Sequence, residues 1–140
     1  MSGMEGHGRL FNVVAAASGV GIKLKNASGV TFVSFLDAGT QTLTLTQTIA
    51  GASSINLASI TRIYKGPGVG GTWTKVTQAA ANTFNLTTDA TNDSFTCFVG
   101  ADQLADGYDT VVGTVGSGIL IAIVHDLLVQ RAPANLASSI

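Results

Sequence analysis

The sequence is poor in charged side chains. Only 11% of its 140 residues are Asp, Glu, Lys or Arg, against roughly 25% in an ordinary soluble domain. The formal net charge is −1, so the composition offers no electrostatic footprint for nucleic acid or for an anionic membrane. A surface with so little charge must be covered by Thr, Ser, Asn and Gly, or by other subunits. We expect both.

Cysteine is also scarce. The single cysteine, Cys97, excludes an internal disulfide and a metal site built from several cysteines. The first residues contain no apolar segment of the kind that a signal peptide needs. We therefore expect synthesis in a reducing cytoplasm and no classical secretion.

The longest apolar run, residues 119–129, organises the rest of the chain. Both alternate sets of positions are apolar, which predicts a central strand with both faces covered, one by the core and the other by a second layer or a partner chain. The run is too short to span a bilayer and is interrupted by His125 and Asp126. A buried helix is the alternative, but β-branched residues and the glycines at 116 and 118 favour a strand.

Residues 40–49 show the clearest periodicity. Threonine occupies every second position from Thr40 to Thr48. Leu43, Leu45 and Ile49 lie on the other face, with Gln41 and Gln47 toward its ends. A strand sorts these residues into a polar and an apolar face, whereas a helix would scatter them. The other predicted strands are residues 9–14, 21–25, 30–36, 60–65, 72–77, 83–87, 94–100 and 108–115.

The pattern predicts an all-β fold, an antiparallel β-sandwich of about eight to ten short strands, and a jelly-roll connection is compatible with it. Residues 1–8 are expected to form a flexible N-terminal arm, 9–131 the sandwich domain and 132–140 a C-terminal tail. One helical turn is expected at residues 101–107, capped by Asp102 and ended by Gly107.

Several short motifs invite a chemical interpretation. Gly66, Gly68 and Gly71 have the spacing of a dinucleotide-binding loop, and Asp89 follows at a suitable distance, but the residues after Gly71 are strand-like. We therefore expect a hairpin tip, because the loop binds phosphate only before a helix. Asp89, Asn92 and Asp93 could offer oxygens to calcium, but they lack the EF-hand spacing and its glutamate, so we expect a polar turn.

His125 and Asp126 are adjacent and would point to opposite faces of a strand, so they are not expected to form a catalytic dyad. A hydrogen-bonded histidine and an aspartate at a bulge or a subunit contact are expected instead. Cys97 alternates with Phe95 and Val99, which predicts a buried thiol with no reactive role. Trp73, with Tyr64 nearby, could form a sugar-stacking platform or an interface anchor, with core packing the alternative for Trp73.

Three segments carry a resemblance to a known group of proteins. They are residues 60–74 (ITRIYKGPGVGGTWT), 100–109 (GADQLADGYD) and 121–136 (IAIVHDLLVQRAPANL). The chain resembles, from about Arg9 to Leu136, small β-rich structural proteins of tailed bacteriophages, especially those of actinobacteria, usually encoded close to the major capsid protein. The segment from His125 to Arg131 is its most specific part.

The resemblance implies a virion component, a decoration or cement protein on the outer capsid surface, and it transfers no catalytic residue. The implied partners are the major capsid protein and copies of the chain itself, with a trimer favoured. No cofactor, metal, nucleic acid or membrane is expected. The residues expected at interfaces are Arg9, Tyr64, Trp73, His125, Asp126, Arg131 and Pro133. The alternatives are a carbohydrate- or host-surface-binding module displayed on the virion, another minor head or tail protein and, as a third hypothesis, a β-sandwich hydrolase.

Overall fold

A computed structural model describes residues 13–16, 19–36, 39–49, 53–67, 70–88 and 92–126. These residues form eleven strands and one 3₁₀ turn, at Ala101–Gln103. The strands are β1 (Val13–Ala15), β2 (Gly21–Lys23), β3 (Gly29–Phe35), β4 (Thr40–Thr48), β5 (Ile55–Asn56), β6 (Ile60–Gly66), β7 (Thr74–Ala81), β8 (Thr83–Thr87), β9 (Ser94–Gly100), β10 (Thr110–Thr114) and β11 (Ile119–His125). The described part of the chain contains no helix of the length and apolarity that crossing a membrane requires.

The strands form two antiparallel sheets. Sheet A has the order β1-β11-β3-β9-β6-β7, and sheet B has the order β2-β10-β4-β5, with β8 also paired to β4. Every pairing is antiparallel. The predicted all-β class and antiparallel sandwich are confirmed, and the jelly-roll connection stays a prediction.

The inner faces of the two sheets share one hydrophobic core. Phe84 of sheet B meets Phe95 of sheet A edge to face, with ring centroids 5.8 Å apart. Gly113 of sheet B lies under the ring of Phe32 of sheet A, so closely that a Cβ there would be 2.8 Å from Cε1. The other large, fully buried apolar side chains are Ile22, Val30, Leu43, Leu45, Ile60, Ile63, Val99, Val111 and Leu120.

Strand β4 confirms the predicted threonine alternation. Leu43 and Leu45 are fully buried, and the threonines face outward. Two polar residues also point inward, because each satisfies backbone donors: Oε1 of Gln41 accepts from the N–H groups of Gly116 and Ser117, and Oε1 of Gln47 accepts from that of Ala105. The expectation that Ile49 belongs to the buried face is wrong, since Ile49 lies beyond the strand and is exposed.

The helical turn expected at residues 101–107 is shorter than predicted. Only Ala101–Gln103 is helical, and Asp102 lies inside the turn and does not cap it. The side chain of Gln103 takes that role, because its Oε1 accepts from the N–H of Gly100 at 2.8 Å. Gly107, with φ of +83°, makes the expected turn.

Strand β11 is an interior strand of sheet A, paired with β1 on one side and with β3 on the other. Leu120, Ala122 and Val124 are buried, but Ile119 on the other face is 59% exposed. The prediction that both faces are covered is therefore wrong for the single chain, and cover by a partner stays a prediction. The predicted residues 127–129 of this strand, the arm 1–8 and the tail 132–140 lie outside the described residues.

The chain passes from sheet A to sheet B between β7 and β8. Three residues of β7, from Gln78 to Ala80, lie opposite one residue of β6, because the pairing shifts between Ile60–Ala81 and Arg62–Thr77. Beside this bulge, the side chain of Gln78 donates to the carbonyl of Ile60 in β6 and to the carbonyl of Thr83 in β8. The bulge therefore turns the strand toward its new sheet and interrupts its free edge.

We predict that Gly113→Ala destabilises the fold by about 1–3 kcal/mol, because the added methyl group overpacks the ring of Phe32. Urea unfolding of the variant, of Phe32→Leu and of the double variant measures this cost and its origin. The double variant should be more stable than the sum of the single effects implies. Additive effects would contradict the assigned contact.

Candidate interaction surface

The outward side chains of sheet A form a regular array, because the pairing register aligns them in rows across the strands. The middle row reads Ala15, Ile121, Val33, Thr96, Tyr64 and Lys75. The row on one side reads Val13, Ile123, Thr31 and Phe98. The row on the other side reads Ile119, Phe35, Ser94 and Gly66. We call this array the outer face of sheet A.

Most of the large hydrophobic residues that are exposed in the described ranges lie on this outer face. Six of the eight large hydrophobic residues that are exposed in the described part of the chain belong to it: Val13, Phe35, Tyr64, Trp73, Phe98 and Ile119. Scattered exposed apolar residues need no explanation, but a contiguous set of this kind marks an interaction site. The outer face is therefore the candidate functional surface.

The outer face has two halves of different chemistry. The half formed by β1, β11 and β3, which we call the apolar half, presents Val13, Ile119, Ile121, Ile123, Val33 and Phe35. The half formed by β9, β6 and β7, which we call the aromatic half, presents Phe98, Tyr64, Arg62 and Lys75. We include Trp73, which directly precedes β7 and whose ring lies beside Gly66. The first suits contact with another apolar protein surface, and the second combines rings with cations.

Sheet B presents the opposite chemistry. Its outward positions carry the exposed or partly exposed threonines Thr40, Thr42, Thr44, Thr46, Thr48, Thr83, Thr87 and Thr114, and the buried Thr110. Some are paired across strands, as in the bond from Oγ1 of Thr42 to Oδ1 of Asn85 at 2.6 Å. Among the described strands of sheet B, Lys23 is the one charged residue in the outward rows. Sheet B can therefore face water mainly through hydroxyl groups, and the two outer faces differ in what they can bind.

Two of the aromatic side chains are seated on glycines. A Cβ on Gly66 would lie 3.2 Å from Cε3 of Trp73, and a Cβ on Gly29 would lie 2.7 Å from Cζ of Phe98. The core-packing alternative for Trp73 is wrong, since its side chain is 49% exposed on the outer face. Phe98 was missed in the sequence, although its alternation with the buried Phe95 and Cys97 was the signal that it faces outward.

His125 and Asp126 have separate partners. Nε2 of His125 is 2.7 Å from Oγ1 of Thr31, and the imidazole centroid is 5.9 Å from that of Phe98. Asp126 has a φ of +54°, and its Oδ2 accepts from Oγ of Ser28 at 2.7 Å. The expectation of a hydrogen-bonded histidine is confirmed, and the two side chains do not form a dyad.

The structure places four of the expected interface residues. Tyr64, Trp73 and His125 share the outer face, and Asp126 lies at its edge, directly after β11. Their role in an interface stays a prediction. The remaining expected interface residues, Arg9, Arg131 and Pro133, lie outside the described residues.

The glycine-rich segment forms the tip of the β6–β7 hairpin, as predicted. Gly70 and Gly71 have φ values of +71° and +75°, and β7 follows them, so these glycines do not precede a helix N-terminus. Gly68 and Asp89 lie outside the described residues. Within the described ranges no three His, Cys, Asp or Glu side chains are grouped as a metal site would need.

Comparisons with known proteins give no match, whether to a family model, to a curated protein or to a solved structure.

Cys97 is buried on the inner face of β9, as predicted. Burial raises the pKa of its thiol from 9.0 to about 12, because the thiolate would lose its hydration. The neutral thiol is therefore the form that the fold holds, and the fold protects it from thiol reagents.

The raised pKa of Cys97 predicts a pH-dependent stability. Below pH 9 the thiol is neutral in both the folded and the unfolded chain, and between pH 9 and about 12 only the unfolded chain ionises. The free energy of unfolding should therefore fall as pH rises through this window, by on the order of 1 kcal/mol per pH unit from this group. Urea unfolding at pH 8 and at pH 10 measures the change, with Cys97→Ala as the control that should lose this part of the slope. An unchanged slope in the control would contradict the assignment.

Proposed function

We propose that this chain is a structural protein of a tailed bacteriophage virion, which binds the outer surface of the capsid as a decoration or cement protein and stabilises it. The apolar half of the outer face is the one observation that supports binding by area. The resemblance of residues 60–74, 100–109 and 121–136 to phage structural proteins supports the proposal that the chain is a virion component. The partner in this proposal is the major capsid protein.

The apolar half suits a broad contact between proteins. Ile119 and Val13 are about half exposed, and Ile121, Ile123 and Val33 are partly exposed beside them. Covering apolar surface gains about 25 cal/mol per Å², and the described strands of this half carry no Lys, Arg, Asp or Glu whose desolvation would oppose it. Binding by such a face depends on shape and area more than on ion pairs.

The edges of the sheets favour contact through faces. The edge strand β1 has three residues, β2 has three and β5 has two, and the longer edge strand β7 is interrupted by its bulge. The remaining edge strand, β8, has five residues and pairs only with β4. Short and bulged edges are poor templates for strand addition. Four of the five edge strands therefore offer little for strand addition, which favours association through the outer face of sheet A.

Binding at many equivalent sites of the capsid can stabilise the shell even if each single contact is weak. A protein that binds the assembled shell and not its separated subunits stabilises the shell by linkage, and the effect grows with the number of occupied sites. Contacts between neighbouring copies would add avidity, and in this proposal the copies associate in a small oligomer. The same apolar half would also serve another minor head or tail protein, which is the alternative within this proposal.

The proposal predicts that Ile119→Asp weakens binding to capsids. Ile119 is 59% exposed, so the fold should tolerate the change, whereas a carboxylate in an apolar contact is costly. Co-sedimentation with particles that lack the protein should show at least about a tenfold loss of affinity. Thr83→Asp, an exposed position on sheet B, is the matched control and should bind normally. Equal affinity of the two variants would rule out the apolar half as the contact.

The proposal also predicts that particles without this protein lose their contents at a lower temperature than complete particles, because linkage is removed. Release of DNA on heating, measured by dye fluorescence, tests this. Adding the purified chain back should restore the release temperature. Identical release temperatures with and without the chain would reject the cementing role.

A further inference from the structure

The aromatic half of the outer face carries three large rings in one diagonal line. Tyr64 of β6 is paired with Thr96, two residues from Phe98, and also with Lys75, two residues from Trp73. Each step of the line, from Phe98 to Tyr64 to Trp73, therefore crosses one strand and advances two residues. Sheet geometry makes each step about 8 Å between Cα atoms. The three side chains are 40–52% exposed.

The rings are held in place before any ligand arrives. Phe98 and Trp73 each lie over a glycine of the neighbouring strand, Gly29 and Gly66, where a side chain would otherwise stand. A two-torsion aromatic side chain packed in this way has little rotamer freedom left to lose on binding. The line is a preformed platform, which distinguishes it from scattered exposed residues.

Cations and hydroxyl groups lie between and beside the rings. Lys75 is directly opposite Tyr64, Arg62 is two residues from Tyr64 on the same face, and Thr96 and Thr77 lie in the same rows. Strands β6, β7 and β9 carry no acidic residue, and two of their three cations, Arg62 and Lys75, lie on the outer face. This half of the face therefore attracts negative charge, although the whole chain has a formal net charge of −1.

We infer that the aromatic half is a binding site for an anionic polysaccharide, a chain of sugar rings that bear carboxylate groups. Sugar rings have an apolar face that can stack on the rings and hydroxyl groups that can bond to Thr96, Thr77 and the cations. Single-stranded nucleic acid also stacks on aromatic side chains, but it carries a phosphate at every nucleotide, and the two cations of this half offer little neutralisation for that charge density. The lower charge density of a polyuronate fits this half better. The inference goes beyond the proposed function, because the site lies on strands that the capsid contact does not need.

The test uses the full chain and polygalacturonate as the probe, with binding followed by isothermal titration calorimetry. The chain should bind polygalacturonate, bind neutral dextran more weakly and lose affinity as salt is added, because Arg62 and Lys75 contribute. Trp73→Ala and Tyr64→Ala should each weaken binding by about tenfold or more. Tyr64 is not seated on a glycine in the way that Trp73 is, so its variant tests the line even if Trp73→Ala unfolds.

Matched variants distinguish binding at this site from non-specific binding. Phe35→Ala removes an exposed ring from the apolar half and should leave polygalacturonate binding unchanged. Arg62→Gln with Lys75→Gln should reduce both the affinity and its salt dependence. Failure to bind polygalacturonate, equal affinity in the Tyr64 and Phe35 variants, or tighter binding of oligothymidylate would each overturn the inference.

The inference and the proposed function fail in different experiments. Tyr64→Ala should still bind capsids, and Ile119→Asp should still bind polygalacturonate. Loss of both activities in Tyr64→Ala, with the unfolding temperature unchanged, would show that the aromatic half is not a separate site and would overturn the inference. Loss of capsid binding in Ile119→Asp alone supports the division of the face.

Discussion

The contact between Phe32 and the backbone at Gly113 fixes which side of sheet A faces inward. Strand β3 pairs along its whole length with both β11 and β9, and a slip of one residue would reverse every side chain. Because β3 and β11 are apolar on both faces, hydrophobicity alone distinguishes the two orientations poorly. Shape decides instead: Phe32 enters the space that Gly113 leaves between the sheets, and Phe98 covers Gly29 on the outside. The arrangement of the outer face follows from these two fits.

The sequence predicts most of the strands because their side chains alternate. Strands β8 and β9 begin and end where the sequence suggests, and the threonines of β4 define one polar face. Periodicity places Gln41 and Gln47 on the inner face with Leu43 and Leu45, but it does not show what they bind there, because their backbone partners come from loops 58 or more residues away in sequence. The two-residue strand β5 is too short to show any period. Local pattern therefore predicts elements and misses what distant backbone groups require.

The candidate surface was predictable in part. Tyr64 and Trp73 lie on one hairpin, so their proximity follows from the chain itself, and the segment that contains His125 was recognisable as apolar. Phe98 joins them only through the pairing of β9 with β6, which no local pattern specifies. The exposure of Trp73 depends on Gly66, because a larger residue there would occupy the position of the ring. A site assembled from rows across a sheet becomes visible only when the register is known.

The composition and the two faces have one physical explanation. A chain with 11% charged residues stays dissolved only if neutral polar groups cover it, and the threonines of sheet B do this on one side alone. The outer face of sheet A has no such cover, so its apolar half gains most by being buried. That half lies on β1, β11 and β3, and the aromatic line runs from β9 to β7 at the other side of a sheet about 24 Å wide. A partner can therefore cover the first half while the rings and cations of the second stay open to a ligand.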